Sequence, residues 1–252
     1  MAYTNSSLVS YTKLSPNHSG QRTHSIDRIT PHCVVGQCSV ETLGNIFLPT
    51  SRQASCNYGI GVDGRVGMYV EEKNRSWCSS SSANDQRAIT IECASDTTEP
   101  YAFKDVVYQK LITLCVDICK RNGKKKLLWL GNKDKTLSYE PKSDEMVLTV
   151  HRWFANKSCP GNWMYARMGD LASKVTAALG GSTATTEPAA ATDNEKAIWD
   201  YLYGKIGNAY GVAGLMGNLY AESALRPNNL QNTYEKKLGL SDTQYTAKVD
   251  DG

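Results

Sequence analysis

The sequence predicts an α/β fold, a mixed central β-sheet flanked by helices, followed by a small all-α C-terminal segment. Three observations carry this. Short runs with strand character alternate with longer runs of helical period over about the first 180 residues, the pattern of a sheet covered by helices. The tract GGSTATTEPAAAT at 180–192 is small, polar and aperiodic, as a flexible tether is. Everything apolar beyond that tract has helical spacing. The expected organisation is therefore a body over 1–180, a linker over 181–192 and a helical tail over 193–252.

Residues 1–25 are polar and rich in Ser, Asn and Thr, and are expected to form an extended arm lying on the body. Residues 28–35 read as a strand ending near Cys33. Residues 57–62 and 65–70 flank Asp63-Gly64, a hairpin signal. The alternating run AITIEC at 88–93 predicts a central strand. A helix over 103–121 puts Val107, Leu111, Leu114 and Ile118 on one face and stops at Gly123. A short apolar strand is expected at 127–130. A second long helix over 162–179 aligns Met164, Met168, Leu171 and Val175, and Gly180-Gly181 ends it. In the tail, Asp193 caps a helix carrying Ile198, Trp199, Leu202 and Ile206. A glycine-punctuated helix over 211–225 is closed by Pro227. Ser241 to Gln244 reads as the capping box of a last helix, just beyond which the sequence stops, as though more chain were expected.

Composition narrows the function. Twenty-eight Lys and Arg against 25 Asp and Glu give a net charge of +3, without the strong field that nucleic acid or a membrane surface requires. Apolar runs are too short to span a bilayer, and no basic-then-apolar N-terminal signal is present. Synthesis in the cytosol, where thiols stay reduced, is the expectation. Eight Cys without a C-x-x-C pair exclude a zinc ribbon or thioredoxin-like site and leave most thiols as buried packing residues, with Cys38, Cys93, Cys115 and Cys119 in that role.

Four His are present. His18 and His24 sit in the polar arm and read as solvated. His32 and His151 each end an apolar or β-branched run, where a strand presents a ligand. Cys159 lies eight positions beyond His151, so a loop can bring both onto one ion. Lys157, two before Cys159, projects to the same side of an extended stretch. Imidazole and thiolate donors with one position left for water suit catalytic zinc, and a fixed ammonium beside them suits an oxyanion.

The block His151-x(7)-Cys159-Pro-Gly with Lys157 resembles the metal motif of type-2 N-acetylmuramoyl-L-alanine amidases, a family that includes peptidoglycan-recognition proteins and phage amidases. Ser55-Cys-Asn-Tyr58 with Asp63-Gly64 is similar to the family hairpin, Ala88-Ile-Thr-Ile-Glu92 to its glutamate strand, and Trp77 and Asn84 to residues upstream of it. The resemblance spans about 25–180. It implies His32, His151 and Cys159 as zinc ligands, Lys157 as the catalytic lysine, and Glu92 as the group activating water. A branch that uses a hairpin Tyr has Cys56 at the matching position here, with Tyr58 two further on, which favours Glu92. Cys33, where relatives carry a second His, is at most a neighbour of the ligands. Tyr58, Trp77 and Asn84 are expected in the substrate groove, with the serine-rich 79–82 loop as a wall. The implied cofactor is zinc, the implied partner bacterial peptidoglycan, and the implied reaction cleavage of the N-acetylmuramic acid to L-alanine amide by an endolysin acting on the wall after release. The alternative is a recognition module that binds peptidoglycan without cutting it; the presence of Cys159 favours the enzyme. In the tail, Gly217-Asn-Leu-Tyr-Ala-Glu222-Ser resembles the opening of phage tail lysozyme-type domains, with Glu222 at the general-acid position. The remaining tail is too short for that groove, so an inactive segment is expected.

Overall fold

The computed structural model describes residues 3–180 and 193–223. They fall into two compact units divided between residues 183 and 184. The tether at 181–192, Pro227 and the capping box at Ser241 lie outside the described residues.

The first unit runs β1 (Val9–Thr12), β2 (His18–Gln21), β3 (Arg28–Cys33), α1 (Val40–Phe47), β4 (Tyr58–Ile60), β5 (Val66–Met68), β6 (Asn74–Ser76), α2 (Ser82–Arg87), β7 (Ala88–Cys93), α3 (Asp105–Arg121), β8 (Lys126–Leu128), α4 (Lys133–Leu137), β9 (Glu145–Leu148), α5 (Gly161–Tyr165) and α6 (Met168–Ala178). Seven strands form one sheet in the order β1-β5-β4-β7-β3-β9-β8, and β2 pairs with β6 in a small ribbon. Only the β4–β5 hairpin is antiparallel within the large sheet. Its turn uses Gly64 at φ +80°, a conformation a Cβ would strain. The AITIEC strand is central, as its buried pattern requires.

One face of the sheet is closed by α3 and α6. Ile29, Ile89 and Ile91 meet Leu111, Leu114, Ile118, Leu171 and Val175 in a single apolar cluster. A smaller cluster of Leu43, Phe47, Cys56 and Tyr69 seats α1 on the other face. Gly59 permits that approach, since a Cβ there would stand 2.8 Å from Leu43. Alternation along β3 thus divides the strand. Ile29 faces the α3 and α6 core, while Arg28, Thr30 and His32 face the other way, where Asn84 and Thr149 hydrogen-bond to Thr30.

Two expectations are corrected. The N-terminal arm is woven into the fold: β1 is an edge strand parallel to β5, and Ser6, Ser15, Asn17 and Arg22 are buried. Its polar composition hid this because the buried groups are satisfied by distant backbone, Ser15 and Asn17 both donating to Phe47 O. The helix expected over 162–179 is two helices, α5 and α6, broken at Ala166 and Arg167, where Arg167 leaves helical geometry at ψ 3°. Cys93, Cys115 and Cys119 are buried packing residues as expected, whereas Cys38 is partly exposed.

The second unit contains α7 (Asp193–Ile206) and α8 (Ala209–Ser223). Asn208 Oδ1 caps α8 by accepting from Gly211 N at 3.0 Å. Trp199 and Tyr203 stack at 6.3 Å on α7. No helix among the described residues is long and apolar enough to cross a membrane.

Candidate metal centre and groove

The parallel register of β3 and β7 sets His32 directly beside Glu92 near their carboxyl ends. Residues paired in this way point to the same face, so an imidazole and a carboxylate share one surface. The chain leaving β9 continues alongside β3, with Thr149 N donating to Ile29 O, and then turns through a short 3-10 segment, His151–Trp153. That turn aims His151 at His32, their rings 5.1 Å apart and edge-on. The loop beyond it folds back, Arg152 N donating to Cys159 O at 3.1 Å. Cys159 Sγ then stands 3.3 Å from His32 Nδ1, and Glu92 Oε1 is 4.0 Å from the same nitrogen.

His32, His151 and Cys159 each offer a donor atom within 4.8 Å of the others. Two imidazole nitrogens and one sulfur, with a carboxylate beside them and a groove in front, form a donor set that fits zinc with an open position. Burial, then the neighbouring His151, holds His32 well below the usual histidine range, so it is neutral and able to donate a lone pair. Burial and Lys157 lower His151 as well. Burial, with a hydrogen bond from the Cys159 thiol to Cys33, raises Cys159 well above the usual thiol range. Burial pushes Glu92 up to about 7.

The centre opens into a groove of about 640 Å³ lined by Arg52, Arg75, Trp77, Ser80, Glu92 and Lys157 among others. Of the residues singled out in the sequence, His32, His151, Cys159 and Glu92 come together, and Lys157 and Trp77 reach the groove. The 79–82 stretch supplies a wall through Ser80 and Ser81, and Ser82 begins α2. Two expected groove residues do not reach it. Tyr58 is fully buried, its hydroxyl donating to Glu72 Oε1 at 2.7 Å while it accepts from Ser6 N, because its register beside Ile91 turns it to the α3 face of the sheet, away from Glu92. Asn84 is buried on α2, bridging Thr30 and Ser79.

Three contributors escape the sequence reading, Cys78, Arg52 and Arg75, and Ser80 does more than wall the groove. Cys78 Sγ lies 3.8 Å from Glu92 Oε1, and His32, Cys78 and Glu92 form a second donor cluster. Ser80 hydrogen-bonds His151 Nε2 at 2.9 Å. Arg52 and Arg75 make the groove basic. None carries a spacing signal, because each arrives from a loop or a ribbon edge.

Among solved structures, an AmpD derivative is 17% identical, with 68% of this chain and 99% of that chain covered at a TM-score of 0.46. A mutant endolysin from Bacillus subtilis is 12% identical (66% and 97% covered, TM-score 0.42). The amidase LysCS from Clostridium intestinale is 15% identical (69% and 97%, TM-score 0.39). No curated protein matches. The family model described as N-acetylmuramoyl-L-alanine amidase matches residues 14–162, a span that begins in the arm before β2 and ends just past Cys159, and so takes in every residue of the centre and its groove. The chain belongs to the N-acetylmuramoyl-L-alanine amidase family.

Proposed function

We propose that the chain hydrolyses the amide between N-acetylmuramic acid and L-alanine in peptidoglycan, with zinc held by His32, His151 and Cys159, and that it acts as a wall-degrading endolysin. The observation that carries this is the convergence of two imidazoles, a thiol and a carboxylate at the carboxyl ends of adjacent strands, facing one groove. Zinc, when bound, supplies Lewis acidity that polarises a carbonyl and brings the pKa of a water toward about 7. Glu92 then has the role of proton acceptor at Oε, and it returns that proton to the departing L-alanine amine. A carboxyl raised to about 7 is suited to both halves of that exchange near neutral pH. Lys157 holds negative charge on the former carbonyl oxygen. Ser80 fixes the His151 ring by hydrogen-bonding Nε2. Arg52 and Arg75 orient an acidic peptide along the groove.

The test is product analysis on purified cell walls. Free L-alanine N-termini are expected to appear, to disappear on chelation, and to return with zinc. Binding to walls with no new amino termini from the zinc-loaded protein would overturn the enzymatic reading in favour of a binding module.

A further inference from the structure

Behind the 79–82 wall lies a second cavity, of about 520 Å³, lined by Arg28, Asn84, Arg87, Lys133, Trp153 and Phe154 among others. It shares Ser80 and Ser81 with the main groove but contains none of the candidate ligands. Arg28 and His32 face the same side of β3, four residues and about 13 Å apart.

Arg28 is 5% exposed, and its Nε is buried without a hydrogen-bond partner. Among the described residues its guanidinium makes one hydrogen bond, Nη1 to Asn84 Oδ1 at 3.3 Å, and no ion pair. The nearest carboxylates are taken. Asp27 binds Arg87 through three contacts of 2.6–3.1 Å, and Glu140 sits 3.5 Å from the same guanidinium. A buried guanidinium without a carboxylate is costly unless something negative completes it. Lys133, exposed on the rim and without an ion pair among the described residues, adds a second cation. Phe154, partly exposed, supplies an apolar face, and the size falls within the range of small-ligand sites.

We propose that this cavity binds an anionic sugar, its phosphate or carboxylate on Arg28 and Lys133 and its ring against Phe154. The site takes a sugar oxyanion whether or not the main groove is an amidase, so its test reads binding alone. Full-length, zinc-loaded protein is titrated calorimetrically with N-acetylglucosamine 6-phosphate, N-acetylmuramic acid and neutral N-acetylglucosamine. At least one charged sugar is expected to bind more tightly than the neutral one, and which one binds identifies the anion. Arg28→Gln and Lys133→Ala are each expected to weaken that binding roughly ten- to hundredfold, the range for a lost charge-assisted hydrogen bond. Lys157→Ala, which alters only the main groove, is expected to leave it unchanged. Lys133 is exposed, so its variant remains informative if Arg28→Gln fails to fold. Equal binding of neutral and charged sugars, no binding of any, or full affinity in Lys133→Ala would overturn the proposal.

Discussion

Burial sets the protonation of the groups gathered at the ends of β3 and β9. His32 and His151 are both pushed down, so their imidazoles are neutral and cost no proton to coordinate a metal. Cys159 is pushed up, so without metal it is a thiol. Zinc uptake must therefore displace about one proton, from Cys159. Zinc affinity is expected to rise with pH, by up to about tenfold per unit while the thiol stays protonated. Chelator competition on both sides of neutrality, with proton release measured in two buffers, checks this; an affinity flat with pH would remove Cys159 from the ligand set. Cys159→Ser should lose most of the metal, since a hydroxyl is a far poorer ligand than a thiolate. Glu92 answers to a different readout. Glu92→Gln keeps the shape but accepts no proton, so the rate should fall roughly 10²–10⁴-fold with zinc retained. A near-wild-type rate would assign proton transfer elsewhere.

At the scale of elements, the loop between β6 and α2 positions Cys78 and Ser80 over the centre, and Asp85 anchors it. The Asp85 carboxylate is 2% exposed and accepts from Cys78 N at 3.0 Å and Ser79 N at 3.2 Å. Asp85→Ala orphans both donors, for a loss of about 1–3 kcal/mol each, visible as a lowered Tm. Burial raises Asp85 above its usual value of 3.8 despite those bonds. A raised folded value favours the protonated form, so this group's contribution is fully present below the unfolded pKa and is lost as pH rises through the folded one. Unfolding curves should show wild type losing stability relative to Asp85→Asn as pH climbs above 3.8. A pH-independent difference would mean that the carboxyl is not perturbed. Asp85 also marks what the sequence could reveal. The core strands β3, β4, β5, β7 and β8, the long helix α3 and the pairing of His151 with Cys159 were legible, because period and spacing are local. The in-register meeting of His32 and Glu92 was reachable only through family resemblance, since sheet order is not written in either strand. Tyr58, Cys78 and Arg28 were misplaced or unseen. Their surroundings come from distant segments, as where Ser6 N reaches the Tyr58 hydroxyl across 52 residues and Arg28 reaches Asn84 across 56.

At the scale of the whole molecule, the apolar clusters of the first unit are built entirely from residues before 180, and every candidate site residue except Glu222 lies there. The second unit is different. Among its described residues Tyr201, Tyr203, Ile206 and Leu215 are exposed and Val212 is buried. Glu222 falls within α8, at the position where the sequence resembles a lysozyme-type general acid. A carboxylic acid protonates a leaving oxygen near neutral pH only if its surroundings raise its pKa, and the resemblance covers only the block around Glu222, not a groove that would do so. Residues 1–180 should therefore fold alone and keep the full amidase rate, with a Tm close to that of the first transition of the whole chain. Residues 193–252 alone should release no reducing ends from purified walls, and Glu222→Gln in the full chain should change neither product. Reducing ends that appear with the full chain and vanish in Glu222→Gln would show a second hydrolase in the tail, and a 1–180 fragment that unfolds would show that the first unit depends on the tail for its stability.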